Sequence, residues 1–322
     1  MDTIKWLLDG DIVIQTLTRQ YLLDETMHHR NGGLIQRYLE CYDPERCMWR
    51  NSVYSKKWVS STYTLLELKY MEIYPLHPTY QAATQIVLDE LWQNKGYISK
   101  TKQQDMCMAA MVLSLVCYGQ FKNEKIYEIV DYILEYQMGD GGWNCAYNSV
   151  HNQSCVGSFH STISVLEALF DYESNGYTYR LNEVKKQTQQ AQEYLLKRHL
   201  FKSLRTGDVV HPDMIQFHYP CRWKYDCFRA LEYFCKIHYP YDSRMNDTLT
   251  LVNESLEKGW INRGKKYPGK IHFSLETGQK GAFNTFRGLF ILKHYDSQAF
   301  QRFISAYHCD EISEESSVRL HV

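Results

Sequence analysis

Apolar residues recur along most of this chain at the three-to-four-residue spacing of an α-helical face. Ile12, Val13, Leu17 and Tyr21 open the pattern, and Asn31-Gly32-Gly33 interrupts it. A poorly patterned stretch with Pro44, Cys47 and Trp49 follows. From Trp58 the rhythm is regular. The spacing predicts a helix over 60–72, with Ser60 or Ser61 as its cap and Pro75 and Pro78 beyond its end. Further helices are expected over 79–92, 105–118, 123–137, 158–172, 181–196, 225–237, 246–256, 283–295 and 297–307. Alternation of the strand type is absent.

These segments come in pairs separated by glycine-aromatic turns, with a period of roughly 50 to 60 residues. The first helix of a pair is apolar on most sides, as in Met106-Cys107-Met108-Ala109-Ala110-Met111-Val112-Leu113. Such a helix belongs in an interior. The second is amphipathic and charged, as over 182–198. An inner ring of buried helices within an outer ring of amphipathic ones satisfies both patterns, and an open superhelix of helical pairs is the rival. The expectation is an all-α chain forming one α/α toroid: an N-terminal helical extension over 1–57, a repeat ring over 58–309 and a frayed acidic tail over 310–322.

Composition narrows the setting. The formal charge of -1 gives no electrostatic reason to expect nucleic acid. Basic clusters at Lys56-Lys57, Lys185-Lys186 and Arg263 to Lys266 read as solvated surface. Ten cysteines stand singly, without a repeated CxxC pair, and the N-terminus lacks the basic start and apolar run of a signal peptide. No run of eighteen apolar residues suggests a transmembrane segment. These features predict a cytoplasmic protein with free thiols, in which the glycosylation-type triplets at Asn152, Asn246 and Asn253 carry no meaning. The 26 tyrosines, 13 phenylalanines and 7 tryptophans suit a surface apolar in part and polar in part, such as a wide cavity wall.

Gln137-Met138-Gly139-Asp140-Gly141-Gly142-Trp143 resembles the glutamine-tryptophan repeat of squalene and oxidosqualene cyclases. Degenerate copies stand at Trp92-Gln93-Asn94-Lys95-Gly96-Tyr97 and Glu257-Lys258-Gly259-Trp260. That superfamily also includes the β subunits of protein prenyltransferases, and the resemblance, over Trp58 to Tyr295, implies a toroid. On physical grounds alone, Gly141 and Gly142 admit unusual backbone angles, Asp140 accepts from nearby amides, and Trp143 packs between hairpins. The aspartate-rich acid motif of the triterpene cyclases is missing, and the nearest string, Asp9-Gly10-Asp11, precedes the ring.

Candidate chemistry gathers at the starts of the expected inner helices: Asp105, Cys107, His160, Tyr225, Asp226 and Asn284. Helix N-termini there would favour an anion such as a diphosphate. Asp226, with Tyr225 and Trp223, is the candidate general acid, or else a helix cap. His218, Arg222, Lys224, Arg229 and Asn284 are candidate substrate-binding residues. His211, Asp213 and His218 form a further polar group on a loop facing the cavity. By resemblance to the prenyltransferase zinc site, Asp105-Met106-Cys107 and His160 are candidate zinc ligands; otherwise Asp105 is a cap, Cys107 a small buried hydrophobe and His160 a hydrogen-bonded helix-start residue. The expected function is action on, or binding of, an isoprenoid or other long apolar molecule, and the alternative is a non-catalytic scaffold.

Overall fold

A computed structural model describes residues 2–28, 31–99, 102–145, 155–264 and 267–318, with side chains described as far as Tyr307. Asn152, Lys266 and the last four residues of the acidic tail lie outside the described residues. The fold is predominantly α-helical. The N-terminal part holds α1 (Thr3–Leu8), α2 (Ile12–Leu17) with a π-helical turn at Thr18–Leu22, and α3 (Gly33–Glu40). Then come α4 (Ser61–Tyr70), α5 (Pro78–Leu91), α6 (Met106–Tyr118), α7 (Lys125–Glu135), α8 (Phe159–Ser174), α9 (Leu181–Lys197), α10 (Cys227–Lys236), α11 (Asn246–Ser255), α12 (Ala282–Tyr295) and α13 (Ser297–Val318). The expected helices fall within a few residues of these bounds, except that α13 runs on to Val318, into the tail expected to fray. Not foreseen as individual elements were α1, α3 and two short antiparallel ladders pairing Tyr42–Asp43 with Met48–Trp49 and Tyr97–Ser99 with Lys102–Gln103. Ladders of two or three residues are too short to leave an alternating pattern.

Burial separates the two helix types. In α4 every residue from Ser61 to Leu68 is buried, and α6, α8, α10 and α12 are likewise buried on most sides. In α5, α7, α9 and α11 one face is buried. The fully buried helices lie against one another: α4 on α6, α6 on α8, and α10 on α12. At the N-terminal side α12 meets α2 and its π-turn, α2 meets α3, and α3 meets α4. The one-sided helices pack on the buried ones: α5 on α4 and α6, α7 on α6, α9 on α8, and α11 on α10 and α12.

The turn after α7 works as its chemistry suggests, with one difference. Gly141 has φ +88°, and a Cβ there would stand 2.6 Å from the Gln190 carbonyl oxygen. Gly142 is not at positive φ; it is small because a Cβ would crowd Thr162, Tyr194 and Gly157. Asp140 accepts from the amides of Gly142 (3.1 Å) and Gly157 (3.0 Å) and pairs with Arg198. Gln137 donates to the carbonyls of Gly141 and of Gln187 in α9. Trp143 is fully buried, its indole donating to the Ile133 carbonyl of α7 at 2.8 Å and its amide donating to Thr162 Oγ1 of α8. Ser60, by contrast, does not cap α4 through its side chain: its hydroxyl donates to the Tyr54 carbonyl, and Ser61 Oγ accepts from the Trp49 amide.

Candidate functional site

A cavity of about 550 Å³ lies among the five mostly buried helices, within the usual range for small-molecule sites. Its wall comes from the C-terminal halves of α4, α6 and α8 and from most of the length of α10 and α12. Aromatic rings supply the apolar part: Tyr21, Tyr70, Phe170, Tyr219, Phe286 and Phe290. Tyr219 stacks on Phe283 with ring centroids 4.0 Å apart, and Tyr21 meets Phe290 edge-on at 5.6 Å.

The polar part of the wall is a set of ion pairs. Lys69 of α4 pairs with Asp171 of α8, Arg229 of α10 with Glu167 of α8 (2.6 Å), and Arg287 of α12 with Glu232 of α10 (2.7 Å). Lys236 also reaches Glu232 at 3.0 Å, and Lys293 reaches Asp24 at 2.6 Å. Lys69, Lys236 and Lys293 stand in the last turns of their helices, where the negative end of the helix dipole favours them. Burial pushes the Asp171 carboxyl up against the opposing pull of Lys69 and Ser114. At Glu232 burial acts the same way, but Lys236 and Arg287 outweigh it and hold the carboxyl at about 2. At Glu167 Arg229 likewise outweighs burial, and the carboxyl sits below its usual range.

Most residues singled out from the sequence lie elsewhere. Of the expected substrate-binding set only Arg229 lines this cavity, and its guanidinium is spent on Glu167 and the Lys224 carbonyl. Arg222 lines a smaller pocket of about 100 Å³, where its Nε donates to Glu67 of α4 at 2.9 Å and its guanidinium lies over Trp58. Glu67 also accepts from Tyr38, and burial pushes its carboxyl up despite both partners. Asp226 is fully buried and is not on the wall of either cavity. It caps α10, accepting from the Arg229 amide at 2.8 Å, and lies 3.5 Å from His218 and 3.6 Å from Arg287. His218 stacks on Tyr267. Asn284 donates to the Asn262 carbonyl and accepts from Arg287. Of the loop group, His211 and Asp213 stand 3.9 Å apart, and neither they nor His218 line either of these two cavities.

A second cluster forms at the helix starts. His160 Nδ1 accepts from the Tyr225 amide at 2.8 Å, and its ring meets that of Trp223. Burial, with Lys224, Arg229 and His211, pushes the His160 imidazole down to about 4. The Tyr225 hydroxyl is tied to the Leu200 carbonyl. Lys224 lies over the rings of Trp223 and Tyr267. Asp105 precedes α6 but makes no capping bond through its side chain. The Cys107 amide donates to Cys145 Sγ, which also contacts Ser161. Asp105, Cys107 and His160 are not gathered into one cluster: among the described residues no three His, Cys, Asp or Glu side chains stand together as a metal ion would need. His160 uses Nδ1 within the protein, and Cys107 is hydrogen-bonded to Cys145 through both its amide and its side chain.

Sequence reasoning passed over the cavity-lining charges Lys69, Glu167, Asp171, Glu232 and Arg287 and the aromatic Tyr219. A signal for the charges existed. Each stands in the first, more apolar helix of an expected pair, the kind that belongs in an interior, and a buried charge needs a partner or a ligand. No protein-family model matches this chain, and no curated protein matches it.

Proposed function

We propose that the paired helices close into an α/α ring and that its central cavity binds a small, largely apolar molecule of isoprenoid size. The observation that carries this reading is the cavity of about 550 Å³ walled by all five buried helices and faced with aromatic rings. The ion pairs from α4 to α8, α8 to α10 and α10 to α12 support the closed arrangement, since each ties one buried helix to another around the same space. The resemblance to squalene-cyclase repeats fits this architecture. The role is binding. Asp226 is a helix cap away from the wall, so proton donation by it forms no part of the reading.

The cavity does not suit the diphosphate expected from helix N-termini. Its wall takes in helix C-terminal turns, and the cations there already face carboxylates. Native mass spectrometry of the full chain with farnesol, farnesene, farnesyl diphosphate and squalene tests the reading. Farnesol or farnesene should bind one to one, and Phe290→Trp, which fills part of the cavity, should weaken that binding. Absence of binding by every probe, or binding indifferent to Phe290→Trp, would overturn it.

A further inference from the structure

Two thiols meet near the starts of the buried helices. Cys107 stands in the first turn of α6, and Cys145 lies two residues past Trp143, between α7 and α8. Neither lines either of the two cavities. Cys145 Sγ accepts from the Cys107 amide at 3.3 Å, and the two side chains are hydrogen-bonded to each other. Ser161 Oγ of α8 stands 3.3 Å from the same sulfur. Both cysteines are half-buried, whereas Cys117, Cys221, Cys227 and Cys235 are buried, the usual condition of an inert thiol. Cys47 donates to the Pro44 carbonyl, and Cys155 is exposed.

The contact spans 38 positions of the chain, so the fold makes it rather than local sequence. An amide N–H in the first turn of a helix, aimed at a sulfur, favours negative charge there. Cys145 is therefore the sulfur better placed to attack, and Cys107 is the thiol within reach to finish the exchange. We propose that Cys107 and Cys145 form a redox-active dithiol whose substrate is a small organic disulfide. The Cys145 thiolate attacks one sulfur of that disulfide, whose S–S bond breaks; the departing thiolate takes up the proton that Cys145 gave to the solvent. The Cys107 thiolate then attacks Cys145 Sγ, a Cys107–Cys145 bond forms, and the second small thiol leaves with the remaining proton. Two protein thiols are oxidised and one external disulfide is reduced to two thiols. The bridge ties the start of α6 to the chain behind the Gly141 turn. This site is independent of whatever the cavity binds.

The test equilibrates the full chain in mixtures of 2-hydroxyethyl disulfide and 2-mercaptoethanol, alkylates the remaining thiols and maps the peptides by mass spectrometry. The Cys107 and Cys145 peptides should be joined when disulfide is in excess and separate again when thiol is restored. The bridged chain should melt about 5 °C above the reduced one, because the bridge closes a long loop in the unfolded state. Cys107→Ser should hold Cys145 as its mixed disulfide with mercaptoethanol, and its melting temperature should no longer rise with the disulfide fraction. Absence of the joined peptide at every ratio overturns the proposal, as does joining of Cys145 to Cys155 in its place. A bridged chain that melts no higher than the reduced one also overturns it, by showing that the bridge forms only against the fold. These three outcomes are read on the wild type, so they decide the matter even if Cys107→Ser fails to fold.

Discussion

At the residue scale the interior is held by groups that carry opposite risks. Trp143 is fully buried and hydrogen-bonded, so Trp143→Ala leaves a large hole and an orphaned carbonyl on Ile133. The expected loss is about 3 to 5 kcal/mol, read as a shift in urea midpoint. An unshifted midpoint would show that the ring contributes nothing to packing. Arg229 and Glu167 behave differently, because an ion pair taken from water returns little net stability. Arg229→Met alone strands a mostly buried carboxylate and should cost about 3 kcal/mol. The double variant Glu167→Met with Arg229→Met should recover much of that loss. If the double variant is as unstable as the sum of its parts, the pair stabilises the protein in its own right.

Elements add constraints that no single residue carries. The turn from Gln137 to Trp143 joins α7 to α9 through the two Gln137 donations, and it joins the 157 region through Asp140. Gly141 has both a positive φ and a backbone oxygen where a Cβ would go, so Gly141→Ala should destabilise by more than about 1 kcal/mol. Gly139 has open space around its Cβ position, so Gly139→Ala should lie within about 0.5 kcal/mol of the wild type. Equal effects at the two positions in thermal melts would contradict this account of the turn. The turn's design was legible from its residues, because Gly, Asp and Trp at fixed offsets have local reasons to be there. The role of Gln137 was not, since Gln187 lies fifty residues further on.

For the whole molecule, acid is the informative variable. The folded protein takes a proton on His160 or on His272 only at about pH 4, because burial opposes the charge, whereas the unfolded chain takes it near 6.5. Between those values the unfolded chain binds more protons, so this stabilisation is present above 6.5 and is lost as pH falls toward 4. Glu232, held at about 2, adds a second loss from about 4.5 downward. Glu67 and Asp171, raised by burial, act in the opposite sense above the ordinary carboxylate range. A comparison of variants isolates the histidine. His160→Asn keeps an acceptor for the Tyr225 amide but cannot be protonated, so its urea midpoint should fall less than that of the wild type between pH 7 and pH 5. Equal falls would falsify the assignment of that slope to His160.

Most of the helices from Ser61 onward, which of them are buried on most sides, and how the Gly141 turn is built were all legible in the order of residues. Those properties are local: a period of 3.6 residues, an apolar stripe or its extension round the whole helix, and residues suited to a tight turn. Only the tertiary structure decided which polar residues share the cavity. Lys69 meets Asp171 across 102 positions, and Arg222 meets Glu67 across 155. Helix periodicity gives the face a side chain occupies, but not the rotation and height at which two helices pack. That is why the helix-start residues, the most suggestive in the sequence, became caps and backbone acceptors. The mid-helix charges instead form the polar part of the cavity wall.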